Sequence, residues 1–65
     1  MNHLGYILQN VRERGSHEEQ WHALINVYFR GEDCFGQIER WAADNDLMVT
    51  FSESAKTCRF AIPRK

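Results

Sequence analysis

The sequence predicts a small two-layer α+β domain, and three observations carry that prediction. Apolar residues recur at helical spacing near the N-terminus and again between Glu32 and Asp46. Two stretches near the C-terminus, residues 47–52 and 57–62, alternate between apolar and polar residues as paired strands do. The chain has 65 residues, and a domain of that size hides only about 60% of the surface its unfolded chain exposes. A single domain over residues 1–65 with one core and no substrate cavity is therefore expected. A hydrophobic content of 43% that includes two Trp is enough for that core and excludes wholesale disorder.

The first helix is read from Leu4, Ile7, Leu8 and Val11, which stand at i, i+3, i+4 and i+7. Gly15 is placed to cap its C-terminus, and Arg12 and Arg14 fall in the last turn, where cations suit the helix dipole. Gly5 inside it costs about 1 kcal/mol relative to Ala.

Residues 16–30 admit two readings. Ser16-His17-Glu18-Glu19 resembles a capping box, and Trp21, Leu24, Ile25 and Tyr28 would continue it as a helix ending at Gly31. The same stretch also alternates, with Trp21, Ala23, Ile25, Val27 and Phe29 on one side. Its β-branched and aromatic content favours a strand over Trp21–Arg30.

Between Glu32 and Asp46 an amphipathic helix is expected, opened near Glu32 or Asp33 and closed at Asn45-Asp46. Phe35, Ile38, Trp41 and Ala42 form its apolar stripe, and Phe35, Ile38 and Trp41 are assigned to the core. Gly36 weakens its first turn and allows another backbone to approach. In the C-terminal hairpin, Phe51 opposite Cys58 puts Val49 opposite Phe60 and Leu47 opposite Ile62, so one register gathers all six apolar side chains on one face. Pro63 ends the last strand or marks it as an edge.

Assembled, the order is helix, strand, helix, strand, strand, with a parallel crossover between the first two strands and two helices covering a three-stranded sheet. The alternative makes residues 16–30 helical. It gives three helices and a hairpin, an order similar to a minimal winged helix-turn-helix.

Function is less legible. The formal net charge is −1, which supplies no global attraction to nucleic acid or an anionic membrane. No apolar run has the length of a membrane span, and two cysteines make no disulfide framework, so a reduced, cytoplasmic setting is expected. His3, His17, His22, Cys34 and Cys58 lack the short spacings of a zinc site. Cys34 stands at a helix start, which lowers a thiol pKa, but Glu32 and Asp33 beside it oppose a thiolate. No pair of polar groups suggests general acid-base work. No catalytic residue, metal or cofactor is expected.

What remains is charge distribution. Glu32, Asp33, Glu39, Asp44 and Asp46 accompany a single cation, Arg40, along the central helix. A one-sided acidic face attracts a basic surface, including one that ordinarily holds nucleic acid. The expected function is a non-enzymatic binding protein that inhibits or regulates such a partner, with Tyr28 and Met48 adding apolar contact. Phages and mobile elements encode compact acidic-faced proteins of this size against host machinery such as nucleic-acid-binding defence complexes, an analogy of size and charge only. The alternative is a winged-helix-like DNA-binding regulator using Lys56, Arg59, Arg64 and Lys65, although an acidic helix would then have to enter the groove. A second alternative is a homodimer or larger self-assembly, because a three-stranded sheet offers open edges.

Overall fold

The computed structural model describes residues 2–63. In chain order the elements are α1 (His3–Arg14), β1 (Ser16–Gln20), α2 (Trp21–Val27), α3 (Cys34–Asp44), β2 (Met48–Ser52) and β3 (Thr57–Ala61). The three strands form one antiparallel sheet in the order β1-β3-β2. The helices pack on the sheet face that carries Val49, Phe51, Cys58 and Phe60, around a core that also contains Ile7, Val11, Trp21, Leu24, Phe29, Ile38 and Ala42. No helix of the described residues is long and apolar enough to cross a membrane.

Helix α1 follows its sequence pattern. Ile7 and Val11 are fully buried and Leu4 packs against the core. The Asn2 side chain caps the N-terminus, accepting from the Gly5 N–H at 2.8 Å. Gly15 closes the helix at φ 92°, its N–H donating to the Val11 carbonyl at 2.8 Å, a conformation in which a Cβ would be strained.

Residues 16–30 correct the preferred reading twice. The strand expected over Trp21–Arg30 is a helix, α2, and the strand lies just before it, in the stretch that resembles a capping box. Burial explains the helix: Trp21 and Leu24 face the core, whereas Ala23 and Val27, which a strand would have placed beside Trp21, are exposed. Strand β1 has little intrinsic β-propensity. It is held by pairing with β3, from Ser16↔Ala61 to Gln20↔Thr57. The pairing is antiparallel, so the expected parallel crossover is absent. The small α+β domain and its order of helix, strand, helix, strand, strand hold, with the middle helical part split into α2 and α3; the count of three helices is that of the alternative, with α2 and α3 consecutive and the β2–β3 hairpin after them.

Helix α3 lies where the sequence places it, and Ile38 and Ala42 are buried. Phe35 is the exception to the assigned core: it is 38% exposed, because it flanks the buried stripe. Gly36 serves a side chain rather than a backbone, since a Cβ there would collide with the Asp33 carboxylate. The hairpin register is as read, Phe51↔Cys58 and Val49↔Phe60. Ile62 lies beyond the end of β3 and is exposed, so the sixth apolar residue does not join that face.

Candidate functional site

At about 100° per residue, the outward arc of α3 runs from Glu39 through Ala43, Gly36 and Arg40 to Asp44. Glu39 and Asp44 thus flank the arc about 140° apart, with two small residues between them. Asp33, at φ 57°, precedes the first turn and makes no capping hydrogen bond. Its carboxylate lies over Gly36 and stands 3.6 Å from the Arg40 guanidinium, so the one cation on the arc is already engaged. Glu32, Glu39, Asp44 and Asp46 are exposed and form no ion pair among the described residues. Asp44 and Asp46 bracket the C-cap Asn45, at the end of a helix with no basic residue in its last turn.

The other sequence-nominated residues do not join this surface. Met48 pairs with Ala61 and points away from the helices, on the sheet face that also carries Thr50, Arg59 and Glu18. Tyr28 caps the end of α2, and its hydroxyl accepts from the backbone N–H of His3 at 3.1 Å, so it borders α1. The basic residues of the DNA-binding alternative also separate. Lys56 Nζ lies 5.9 Å from the centroid of the Trp21 ring, towards the helices, whereas Arg59 stands opposite Glu18 on the bare sheet face. Arg64 and Lys65 lie outside the described residues.

Sequence reasoning missed two clusters. The first joins α1 to β1: the Nε2 atoms of His3 and His17 contact the Glu19 carboxylate at 2.8 and 2.5 Å, and the Asn10 amide stands 3.1 Å from His17 Nδ1. With Asn10 donating to Nδ1, the His17 proton sits on Nε2 and is directed at Glu19. Tyr6 contacts both rings, stacked on His3 and edge-on to His17. This cluster satisfies the only inward-facing polar residues of β1, His17 and Glu19, and has the character of a structural network. No group of three His, Cys, Asp or Glu among the described residues is placed to hold a metal ion.

The second cluster is a hollow of about 160 Å³ lined by Trp21, Phe35, Phe51 and Glu53, where α2, α3 and the end of β2 meet. Its three rings stand 5.0, 5.1 and 6.2 Å apart, each pair edge to face. The signal in the sequence was only that a chain this short has more large aromatics than one stripe can bury. A larger, shallow hollow along α1, lined by Gly5, Leu8, Gln9, Arg12 and Glu13, gathers no convergent polar groups.

The cysteines are both free, Cys34 half-buried and Cys58 fully buried. Burial, reinforced by the Glu19 and Glu18 carboxylates, pushes the Cys58 thiol up from 9.0 to about 12. It is therefore a protonated core residue at neutral pH rather than a nucleophile. No family model, no curated protein and no solved structure matches the chain.

Proposed function

We propose that this protein is a non-enzymatic binding module that inhibits or regulates a protein with a basic surface, docking through the outward arc of α3. The observation that carries the reading is the placement of carboxylates at the wrong end of that helix. Asp44 and Asp46 sit at the C-terminus, where the helix dipole disfavours negative charge by about 0.3–1 kcal/mol per group at an exposed site, and no cation among the described residues pairs with them. A helix selected for stability alone carries Lys or Arg there. Charge held against the dipole, on both flanks of a shallow arc of Gly36 and Ala43, fits a surface kept for a cationic partner.

The reading narrows the expected contact set. Glu32, Asp33, Glu39, Asp44 and Asp46 lie on α3 or at its two ends, whereas Met48, two residues after Asp46, turns onto the sheet face away from the helices and Tyr28 borders α1. The acids are therefore proposed as the contact, without Met48 and Tyr28.

The test compares the chain with its E39K/D44K variant as bait in a cell extract at physiological salt. The wild type is expected to retain a basic protein that elutes as salt rises, and the variant to retain none of it. The variant should also unfold at no lower denaturant concentration than the wild type, because Lys at position 44 suits the dipole. A partner retained equally by both baits rules the reading out.

A further inference from the structure

We infer that the outer edge of β2 is a self-association surface, on which a second copy of the chain pairs its own β2 antiparallel across a two-fold axis at Thr50. Strand β2 ends the sheet on one side, with β3 as its one strand neighbour. Among the described residues no hydrogen bond from outside β3 reaches the backbone of residues 48–52, so the N–H and C=O groups on its outer side are left for a further strand. Burial shows the same gap. Val49 and Phe51 face the helix layer, yet both are only half-buried, whereas Cys58 and Phe60, beside them on β3, are fully buried. The helix layer closes the core over β3 and leaves it incompletely closed at β2.

The two edges of the sheet differ in charge, and the difference selects the occupant. Strand β1, at the other edge, carries Glu18 and Glu19 next to His17, and charged edges of this kind resist pairing. Strand β2 reads Met-Val-Thr-Phe-Ser, with neither a charge nor a Pro to block a neighbour. Pairing β2 with β1 of the next copy would lay a neutral strand against Glu18 and Glu19 and would continue as an open filament. Pairing β2 with β2 closes on itself, and the edges of the combined sheet are then the two charged β1 strands. With Thr50 on the axis, every residue of β2 finds a neighbour. On the helix side Val49 meets Phe51 of the second copy, and on the bare side Met48 meets Ser52 and Thr50 meets its own equivalent. Aromatic on β-branched and Thr on Thr are pairs that stabilise neighbouring strands. The inference does not rest on the acidic arc: the added strands extend the sheet in its plane, whereas the arc of α3 faces away from the sheet.

The experiment is sedimentation of the full chain from about 10 μM to about 1 mM, the range in which a small, transient interface associates. An equilibrium between monomer and dimer is expected, and added salt should not dissociate it, because the paired strands carry no charge. Thr50→Glu keeps the fold, since the new carboxylate faces Arg59 within its own sheet, but it sets two like charges opposite each other across the axis. It should sediment as a monomer throughout, with an unchanged circular dichroism spectrum. Mixed with Thr50→Lys it should dimerise again, an outcome that unfolding cannot mimic. Thr50→Cys in a Cys34→Ser background should form a disulfide-linked dimer on mild oxidation, since directly opposite Cα atoms stand about 4.5–5.5 Å apart, within reach of a disulfide. Met48→Cys in the same background should not, because its equivalent lies at the far end of the paired strands. A monomer at every concentration, a series of species larger than the dimer, or a crosslink at position 48 as fast as at position 50 overturns the inference. E39K/D44K should dimerise as the wild type does, so a failure of the strand pair and a failure of the acidic arc are read independently.

Discussion

The chemistry of single residues is set by where the fold puts them, and Cys58 shows it most directly. Its side chain is fully buried near the start of the middle strand, across from Glu19 and beside Phe51, and its thiol is pushed up to about 12. The unfolded thiol ionises near 9.0. Below that pH both states are protonated, and the group leaves stability unchanged. Above it the unfolded chain releases the proton while the folded chain keeps it, so stability falls as pH rises, by at most about 1.4 kcal/mol per pH unit from this group. Urea unfolding at about pH 8 and about pH 10.5 should show the wild type losing about 2 kcal/mol more than Cys58→Ala between the two. Equal losses would mean that the thiol reaches solvent in the folded state. The alternation of the hairpin already places Cys58 on the apolar face, and burial is the larger cause of the shift; the Glu19 contribution was not legible, because Glu19 reaches Cys58 only through the pairing of β1 with β3.

Among the elements, those whose pattern is purely local were legible in advance. Helix α1 with its Gly15 cap, helix α3, and the Phe51↔Cys58 register of the hairpin all follow from spacing alone. Strand β1 was illegible because its stability is tertiary: Ser-His-Glu-Glu-Gln has no β-branched residue, and it is held extended by the β3 ladder, the His3–Glu19–His17 contacts and the Thr57 hydroxyl donating to Glu18. Helix α2 was misread because a seven-residue stretch with apolar residues at 21, 23, 24, 25 and 27 satisfies periods of 2 and 3.6 alike. One pair of substitutions separates the two periods. Leu24 is fully buried and Val27 is 63% exposed. Leu24→Ala should therefore cost roughly 2–5 kcal/mol, enough to unfold much of a domain this small, whereas Val27→Lys should change stability by less than about 0.5 kcal/mol. Thermal melts of the two variants check this. A strand over Trp21–Arg30 would reverse the order.

At the scale of the whole molecule the question is what its charge geography can hold. The grouping of the acids along α3 was legible from the sequence, but their surroundings were not: Asp33 engages Arg40, the sheet turns Met48 onto the face away from the helices, and the aromatic hollow assembles rings from three elements that no linear motif links. The element order puts α3 where a helix-turn-helix would present its groove-reading helix, yet the outward arc of α3 offers phosphates one Arg, and Asp33 already engages it. Lys56 leans on Trp21 and Arg59 faces Glu18, so the described cations of the hairpin point to different sides. Non-specific DNA affinity grows with the number of phosphates neutralised by one continuous surface. The wild type should therefore leave a random duplex unshifted in a gel even at low salt. E39K/D44K places Lys on both flanks of Arg40 and should bind the same duplex weakly, with affinity falling steeply as salt is added. A shift by the wild type that survives Lys56→Ala and Arg59→Ala would place a nucleic-acid surface elsewhere on the molecule. Loss of the wild-type shift in those variants would make the hairpin a true wing and reverse the roles assigned to its two faces.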